Sequence, residues 1–353
     1  MNTLNVINTY AAYINDYDLR MNSSSGGIFT EIAEHILGKG GIVYGVSMSS
    51  DCRQAFFKRI DDIKDLGYLR GSKYLQALVG DTYKAVKKDL EQGLLVLFTG
   101  VGCQINGLKC FLGKEFDNLI CVDVVCHGAP SQKLWGIYVD ALEKKYSGQL
   151  ISVNFRCKNE GWKNFGVEEN TSCKTIFTPK GRNPYMLMFL DNYCLRPSCY
   201  ECTAKQYKLS DISLADFWGI EKIQPEMNDG NGVSLVITRT TRGDKLLSEL
   251  LPKMKVAKVA YEDAVKENIA EFRSVTRPTG RDTFFTDLDK LTFEKVKKKY
   301  AIPARIPLKH RLKNLVNTLT HSRDEGGGLA FRNYGLQMVL KEQKGYAMIS
   351  NKA

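Results

Sequence analysis

The chain has 353 residues, 43% of them hydrophobic and 25% charged, which is the balance of a globular protein with a sizeable core spread over one large or two ordinary domains. No run of eighteen apolar residues occurs, so a membrane span is not expected, and Met1–Arg20 shows no charged flank followed by an apolar block, which argues against a secretory signal. Ten cysteines without such a signal point to a reducing cytoplasm, where thiols serve metals or redox chemistry; the net charge of +11 owes much to the segment 295–323, which holds nine Lys or Arg and no Asp or Glu.

In chain order, residues 1–22 read as a short lead-in. Ser23-Ser24-Ser25-Gly26-Gly27 then opens a helix marked by Ile28, Ile32 and Ile36 and stopped by Gly38. Small residues there let an anion such as a phosphate approach bare N–H groups; an ordinary serine cap explains the same pattern. Strands are expected at 42–48 and 55–58, followed by the basic and aromatic turn Arg70-Gly71-Ser72-Lys73-Tyr74-Leu75-Gln76, which suits either an anionic cofactor or a solvated loop. A helix over 81–91 precedes the continuous apolar run 94–98, which has the character of a strand buried on both faces. Gly102-Cys103 ends that strand, a helix follows over 104–112, a second apolar strand covers 119–125, and Cys126-His127-Gly128-Ala129-Pro130-Ser131 leads into a helix over 132–146. Two such strands joined by a crossover helix are parallel, so Cys103 and Cys126 fall at the carboxyl edge of one sheet, where open α/β sheets bind ligands.

The segment 152–157 reads as a strand, and Cys194-Leu195-Arg196-Pro197-Ser198-Cys199-Tyr200-Glu201-Cys202 brings a C-x-x-C pair just before a short apolar strand ending in Asp216-Phe217-Trp218-Gly219. Further on, 233–238 reads as a strand, and 244–251, 261–270 and 293–300 as helices. Two thiolates spaced by two residues grip one metal or cluster from a single turn. Cys110 inside a helix and Cys121 inside a strand read as small hydrophobes, whereas Cys194 is open to either role. Four converging thiolates suit zinc or an iron–sulfur cluster; a zinc ribbon offers two close pairs, and here one pair is close while Cys103 and Cys126 come singly, which favours the cluster. His127 serves as ligand, proton donor or orienting hydrogen bonder.

Six stretches occur in order: Ser23–Phe29, Gly71–Gln76, Gly102–Ile105, Cys126–Ser131, Arg196–Cys202, and Ser210-Asp211-Ile212 with Asp216–Gly219. Together they resemble the coenzyme F-420 hydrogenase/dehydrogenase beta-subunit family over residues 23–238. The resemblance implies an iron–sulfur flavoprotein in which Ser24, Ser25, Gly26, Gly27, Gly71, Ser72 and Lys73 contact FAD and Cys103, Cys126, Cys199 and Cys202 hold a 4Fe–4S cluster. Relatives reduce the deazaflavin coenzyme or chlorophyll intermediates, and others belong to bacterial surface-polysaccharide systems. Two departures stand out. No cysteine precedes Cys52, so no ferredoxin-like module is expected here and electrons come from a separate donor. Val101-Gly102 and Ala215 replace the family's Thr-Pro and Gly, and a glycine before the ligand implies a looser cluster.

The resulting expectation is an α/β protein with a mixed sheet, a parallel β-α-β core flanked by helices, and a helical basic C-terminal segment. A flavin-binding region spans 1–98, a cluster-binding region 99–290 and a basic tail 291–353. The activity expected is a cytoplasmic oxidoreductase in which a ferredoxin-like partner feeds the cluster and FAD serves an organic small-molecule substrate, with Lys73 as the catalytic cation and polysaccharide biosynthesis as a setting. The alternative is a zinc-stabilised, non-catalytic accessory protein of a glycan-synthesis system. The tail carries Leu308, Leu312, Leu315 and Leu319 on one stripe and a basic face, suited to an acidic redox partner or peripheral membrane contact rather than to specific nucleic-acid binding.

Overall fold

A computed structural model of the chain describes residues 5–303. The apolar run at 94–98 and its partner at 119–125 become the two middle strands of the main sheet, β5 (Val96–Val101) and β6 (Leu119–Val124), paired in parallel with Phe98 opposite Cys121. The other strands of this sheet are β1 (Asn8–Ile14), β2 (Ile42–Met48), β3 (Ala55–Ile60), β4 (Ala77–Leu78), β10 (Ile212–Asp216), β11 (Ser234–Thr238) and β12 (Met254–Lys258), in the order β12-β1-β11-β10-β6-β5-β2-β3-β4. Pairing is parallel along β10-β6-β5-β2 and between β3 and β4, and antiparallel elsewhere, so the sheet is mixed as expected.

Burial on both faces explains why the amino-terminal parts of β5 and β6 are apolar. Val96, Phe98, Leu119 and Cys121 turn to one face, under the helices Thr82–Glu91, Gly102–Leu112 and Gln132–Tyr146, while Leu97, Ile120 and Val122 turn to the other, under Ile28–Gly38 and Thr241–Leu250. A separate antiparallel sheet of β7 (Leu150–Cys157), β8 (Gly166–Thr171) and β9 (Thr175–Pro179) joins the first of these faces through Phe155 and Val167.

Residues 5–303 belong to one compact unit. The regions 1–98 and 99–290 share its main sheet, because β1 is inserted between β11 and β12. The lead-in is therefore structural: Asn8–Ile14 alternates its burial and pairs with both neighbours. The helix expected over 261–270 ends at Ala264 and gives way to a turn at Ile269–Glu271. Asn268 Nδ2 takes the Ala264 carbonyl at 2.9 Å, a side chain competing with the helical backbone. The helix Phe293–Tyr300 packs Val296 and Tyr300 into the core, so the first residues of the basic segment are part of the globule. Leu308, Leu312, Leu315, Leu319 and the rest of the tail lie outside the described residues.

Candidate functional site

A cavity of about 550 Å³ opens at the carboxyl ends of β5, β6 and β10. Cys103 follows β5, Cys126 follows β6 and Asp216 ends β10, and all three line it, together with Ser23–Ser25, Gly27 and the loop Arg70–Gln76. The parallel topology thus delivers residues far apart in sequence to one edge, the edge at which such sheets take ligands.

The serine–glycine turn feeds the helix Ile28–Gly38, with Gly27 as its cap in the left-handed region at φ 86°. Its carbonyls are engaged from behind the cavity wall. Arg156 donates to Ser24 O at 3.1 Å, Lys158 Nζ to Ser25 O at 2.9 Å, and the Ile14 N–H to Gly26 O at 2.9 Å. Ser24 Oγ accepts the Ser72 N–H at 2.9 Å, which fastens the turn to the Gly71–Lys73 loop. Gly26 stands apart from its neighbours. It does not line the cavity: a Cβ there would lie 2.4 Å from Ala12 O and 2.9 Å from Ser234 N, so this glycine permits close approach to β1 and β11 rather than to a ligand.

Lys73 is half-buried in the cavity wall, and its Nζ donates to Tyr68 O at 3.0 Å and Arg70 O at 2.6 Å. Burial pushes its ammonium down to about 7. Among the described residues no carboxylate forms a salt bridge with Lys73, whose Nζ is held by these two carbonyls alone.

The four motif cysteines come together. Burial raises the Cys103 thiol, and Cys202 and Cys199 raise it further; burial pushes Cys126 up to about 12, with Cys103, Cys199 and Cys202 again adding to the rise. Each thiol that loses its proton makes the next loss harder. Among the described residues, no three Cys, His, Asp or Glu side chains stand close enough to hold a single metal ion. The Ala129 N–H donates to Cys199 Sγ at 3.3 Å, the kind of bond that tunes thiolate ligands. Lys205, itself buried, donates to Cys126 O and Ala270 O, and Ser274 Oγ accepts the Cys202 N–H at 2.9 Å. The glycine before Cys103 occupies the first position of the helix Gly102–Leu112, with Val101 N held by Gln104 Oε1 at 3.1 Å, so capping supplies the local order that proline would.

The remaining cysteines divide cleanly. Cys194 is fully buried, with Sγ against Met188 O, and belongs to the core. Cys121 is buried as expected, whereas Cys110 is exposed on its helix rather than packed. His127 Nε2 is 2.7 Å from Asn192 Oδ1 and its ring sits edge-on to Phe189; burial lowers its pKa and favours the neutral ring.

Reading the sequence did not single out Arg156 or Lys158, and it quoted Asp216 only as part of a motif. Arg156 bridges Ser24 O to Asp216 Oδ1, the latter at 2.7 Å, and Trp162 Nε1 donates to the same carboxylate oxygen at 3.2 Å. The signal was the pair of cations two residues apart at the end of a strand, Arg156 and Lys158, a spacing that puts both on one face. Ser210 and Asp211 prove to be structural: Asp211 Oδ2 accepts the Cys121 N–H at 2.8 Å and Oδ1 the Thr240 hydroxyl at 2.6 Å, tying β6 to the helix at Thr241.

A mixed α/β sheet thus carries at its carboxyl edge one cavity bordered by the serine–glycine turn, the half-buried Lys73, Cys103 and Cys126, the candidate functional site. The comparisons supply the family. Residues 9–82 match the family described as coenzyme F420 hydrogenase/dehydrogenase, beta subunit N-term, and residues 94–264 match its C terminus counterpart; the chain belongs to this family. It is also similar in fold to a chain of the F420-reducing NiFe hydrogenase complex from Methanosarcina barkeri, solved with xenon derivatization, at 17% identity and a TM-score of 0.50, covering 84% of this chain and 91% of that one. No curated protein matches the sequence.

Proposed function

We propose that this protein is an iron–sulfur flavoprotein oxidoreductase that carries electrons from a ferredoxin-like donor to a small organic acceptor. The observation that carries the reading is the shared wall: the Ser24–Gly27 turn, Lys73 and the thiols of Cys103 and Cys126 all border one cavity. The donor set suits a cluster, since Cys103 at the start of a helix, Cys126 after β6 and the Cys199/Cys202 pair approach one another closely enough for Cys199 and Cys202 to act on both Cys103 and Cys126. The turn fits a phosphate-bearing cofactor, because its carbonyls are already spoken for on the far side. FAD, when bound, supplies the exchange between one-electron and two-electron chemistry. The chain's own residues do the rest. Ser24, Ser25, Gly27, Gly71 and Ser72 bind and orient the cofactor, and Gly26 supports that turn from within the sheet. Lys73 holds a proton at Nζ opposite developing negative charge, and the Ala129 N–H tunes the thiolate of Cys199. A cytoplasmic location is proposed from the cysteine content alone; no described helix is long and apolar enough to cross a membrane. A place in polysaccharide synthesis is the setting that the family resemblance suggests.

The test is anaerobic purification followed by metal, sulfide and flavin analysis. About four irons with sulfide are expected per chain if four thiolates serve one cluster. Cys199→Ala should abolish the iron, and Cys110→Ala should leave it intact. Stoichiometric zinc without sulfide would refute the proposal and favour the accessory-protein alternative.

A further inference from the structure

Lys158 lies at the end of β7, outside every motif that marks the cavity, and it is 5% exposed. Its ammonium has three acceptors, all of them backbone carbonyls: Arg20 O at 2.8 Å, Ser25 O at 2.9 Å and Asn231 O at 2.8 Å. Three carbonyls in one place exhaust the three donors of an ammonium, and no neutral side chain meets that demand. Arg156, equally buried, takes the next carbonyl, Ser24 O, and Ile14 N takes Gly26 O.

The consequence follows from peptide geometry. In a planar trans peptide the carbonyl of one residue and the N–H of the next point in opposite directions. Drawing the carbonyls of Ser24, Ser25 and Gly26 backward therefore turns the N–H groups of Ser25, Gly26 and Gly27 the other way. Gly26 N–H is taken by Ser234 Oγ at 3.0 Å. Those of Ser25 and Gly27 have no acceptor within the protein among the described residues, and both residues line the cavity. The left-handed φ of Gly27 then passes the same orientation to the bare N–H groups at the start of the helix Ile28–Gly38.

We propose that Lys158, with Arg156, is a positioning residue that holds the Ser24–Gly27 turn with its N–H groups toward the cavity, and so makes the site selective for ligands carrying a phosphate or diphosphate. The inference rests on the reading of this turn as the phosphate wall of a flavin site. Lys158 touches no ligand; it acts through the peptide planes it anchors.

The experiment compares FAD with riboflavin, which has the same ring and no phosphate. Affinities are measured by flavin fluorescence quenching for the wild type, Lys158→Met and Lys158→Gln. Loss of properly aimed N–H bonds to a charged group should weaken FAD on the order of tenfold to a hundredfold in Lys158→Met. Riboflavin affinity should stay unchanged, and Lys158→Gln, which keeps two donors, should lose less. Equal weakening of both flavins would mean that Lys158 merely supports the fold and would overturn the proposal, as would unchanged FAD affinity. If Lys158→Met gives no cooperative melting transition, the glutamine variant decides on the same criterion. If the wild type binds neither flavin, the flavin reading falls, and the clamp is then judged on inorganic pyrophosphate. Thermal stabilisation of the wild type but not of Lys158→Gln supports it, and equal or absent stabilisation overturns it.

Discussion

Replacing Gly26 by alanine tests whether the serine–glycine turn is shaped by the sheet or by its ligand. A Cβ at Gly26 would come within 2.4 Å of Ala12 O, 2.9 Å of Ser234 N and 3.0 Å of Ser234 Oγ. Two of these are backbone atoms in paired strands, so nothing flexible yields and the turn must lift away from β1 and β11. Overpacking of this kind costs about 1–3 kcal/mol. Lifting also strains the bonds of Gly26 N to Ser234 Oγ and of Ile14 N to Gly26 O, each contributing about 1 kcal/mol. If both bonds are lost the expected destabilisation is about 3–5 kcal/mol, read as a lower denaturant midpoint of the cofactor-free protein. Gly136 is the control. It sits inside the helix Gln132–Tyr146 with nothing within 4 Å of an added Cβ, so Gly136→Ala should stabilise by up to about 1 kcal/mol. If Gly26→Ala unfolds with the wild type and loses only ligand affinity, Gly26 faces the ligand and the packing argument is wrong.

Lys73, with its ammonium pushed down to about 7, is charged below that pH and neutral above it. Affinity for an anionic cofactor should therefore be greatest below pH 7 and decline as pH rises through it; Lys73→Met should remove that part of the dependence, and an unaltered pH profile in the variant would exclude Lys73 from the anion site. Asp211→Ala strands the Cys121 N–H and the Thr240 hydroxyl, each at about 1–3 kcal/mol, and should lower the urea midpoint sharply, with Asp211→Asn milder because it keeps one oxygen. An Asp211→Ala protein as stable as wild type would show that other groups satisfy these donors.

The edge at which Cys103 and Cys126 meet follows from sequence alone. Two largely apolar strands joined by a crossover helix permit little besides a buried parallel pair, and parallel strands end on the same side. The helix Ile28–Gly38 and the helix Gln132–Tyr146 were equally legible, since local periodicity and stop signals set their limits. The C-x-x-C pair is likewise local, and its order with the other motifs carries the family.

What tertiary structure alone decided depends on partners distant in the chain. Asn8–Ile14 looks like a polar lead-in until β11 and β12 flank it, because a strand of mixed burial gains its stability from pairing rather than from its own pattern. Gly26 and Gly27 are adjacent and alike in sequence, yet one packs on two strands and the other caps a helix beside the cavity. For Lys158 the sequence offers only its spacing from Arg156 at the end of a strand, which says nothing of its partners. Its three carbonyl partners come from residues 20, 25 and 231, and a buried cation acquires a role only when the fold brings such groups around it.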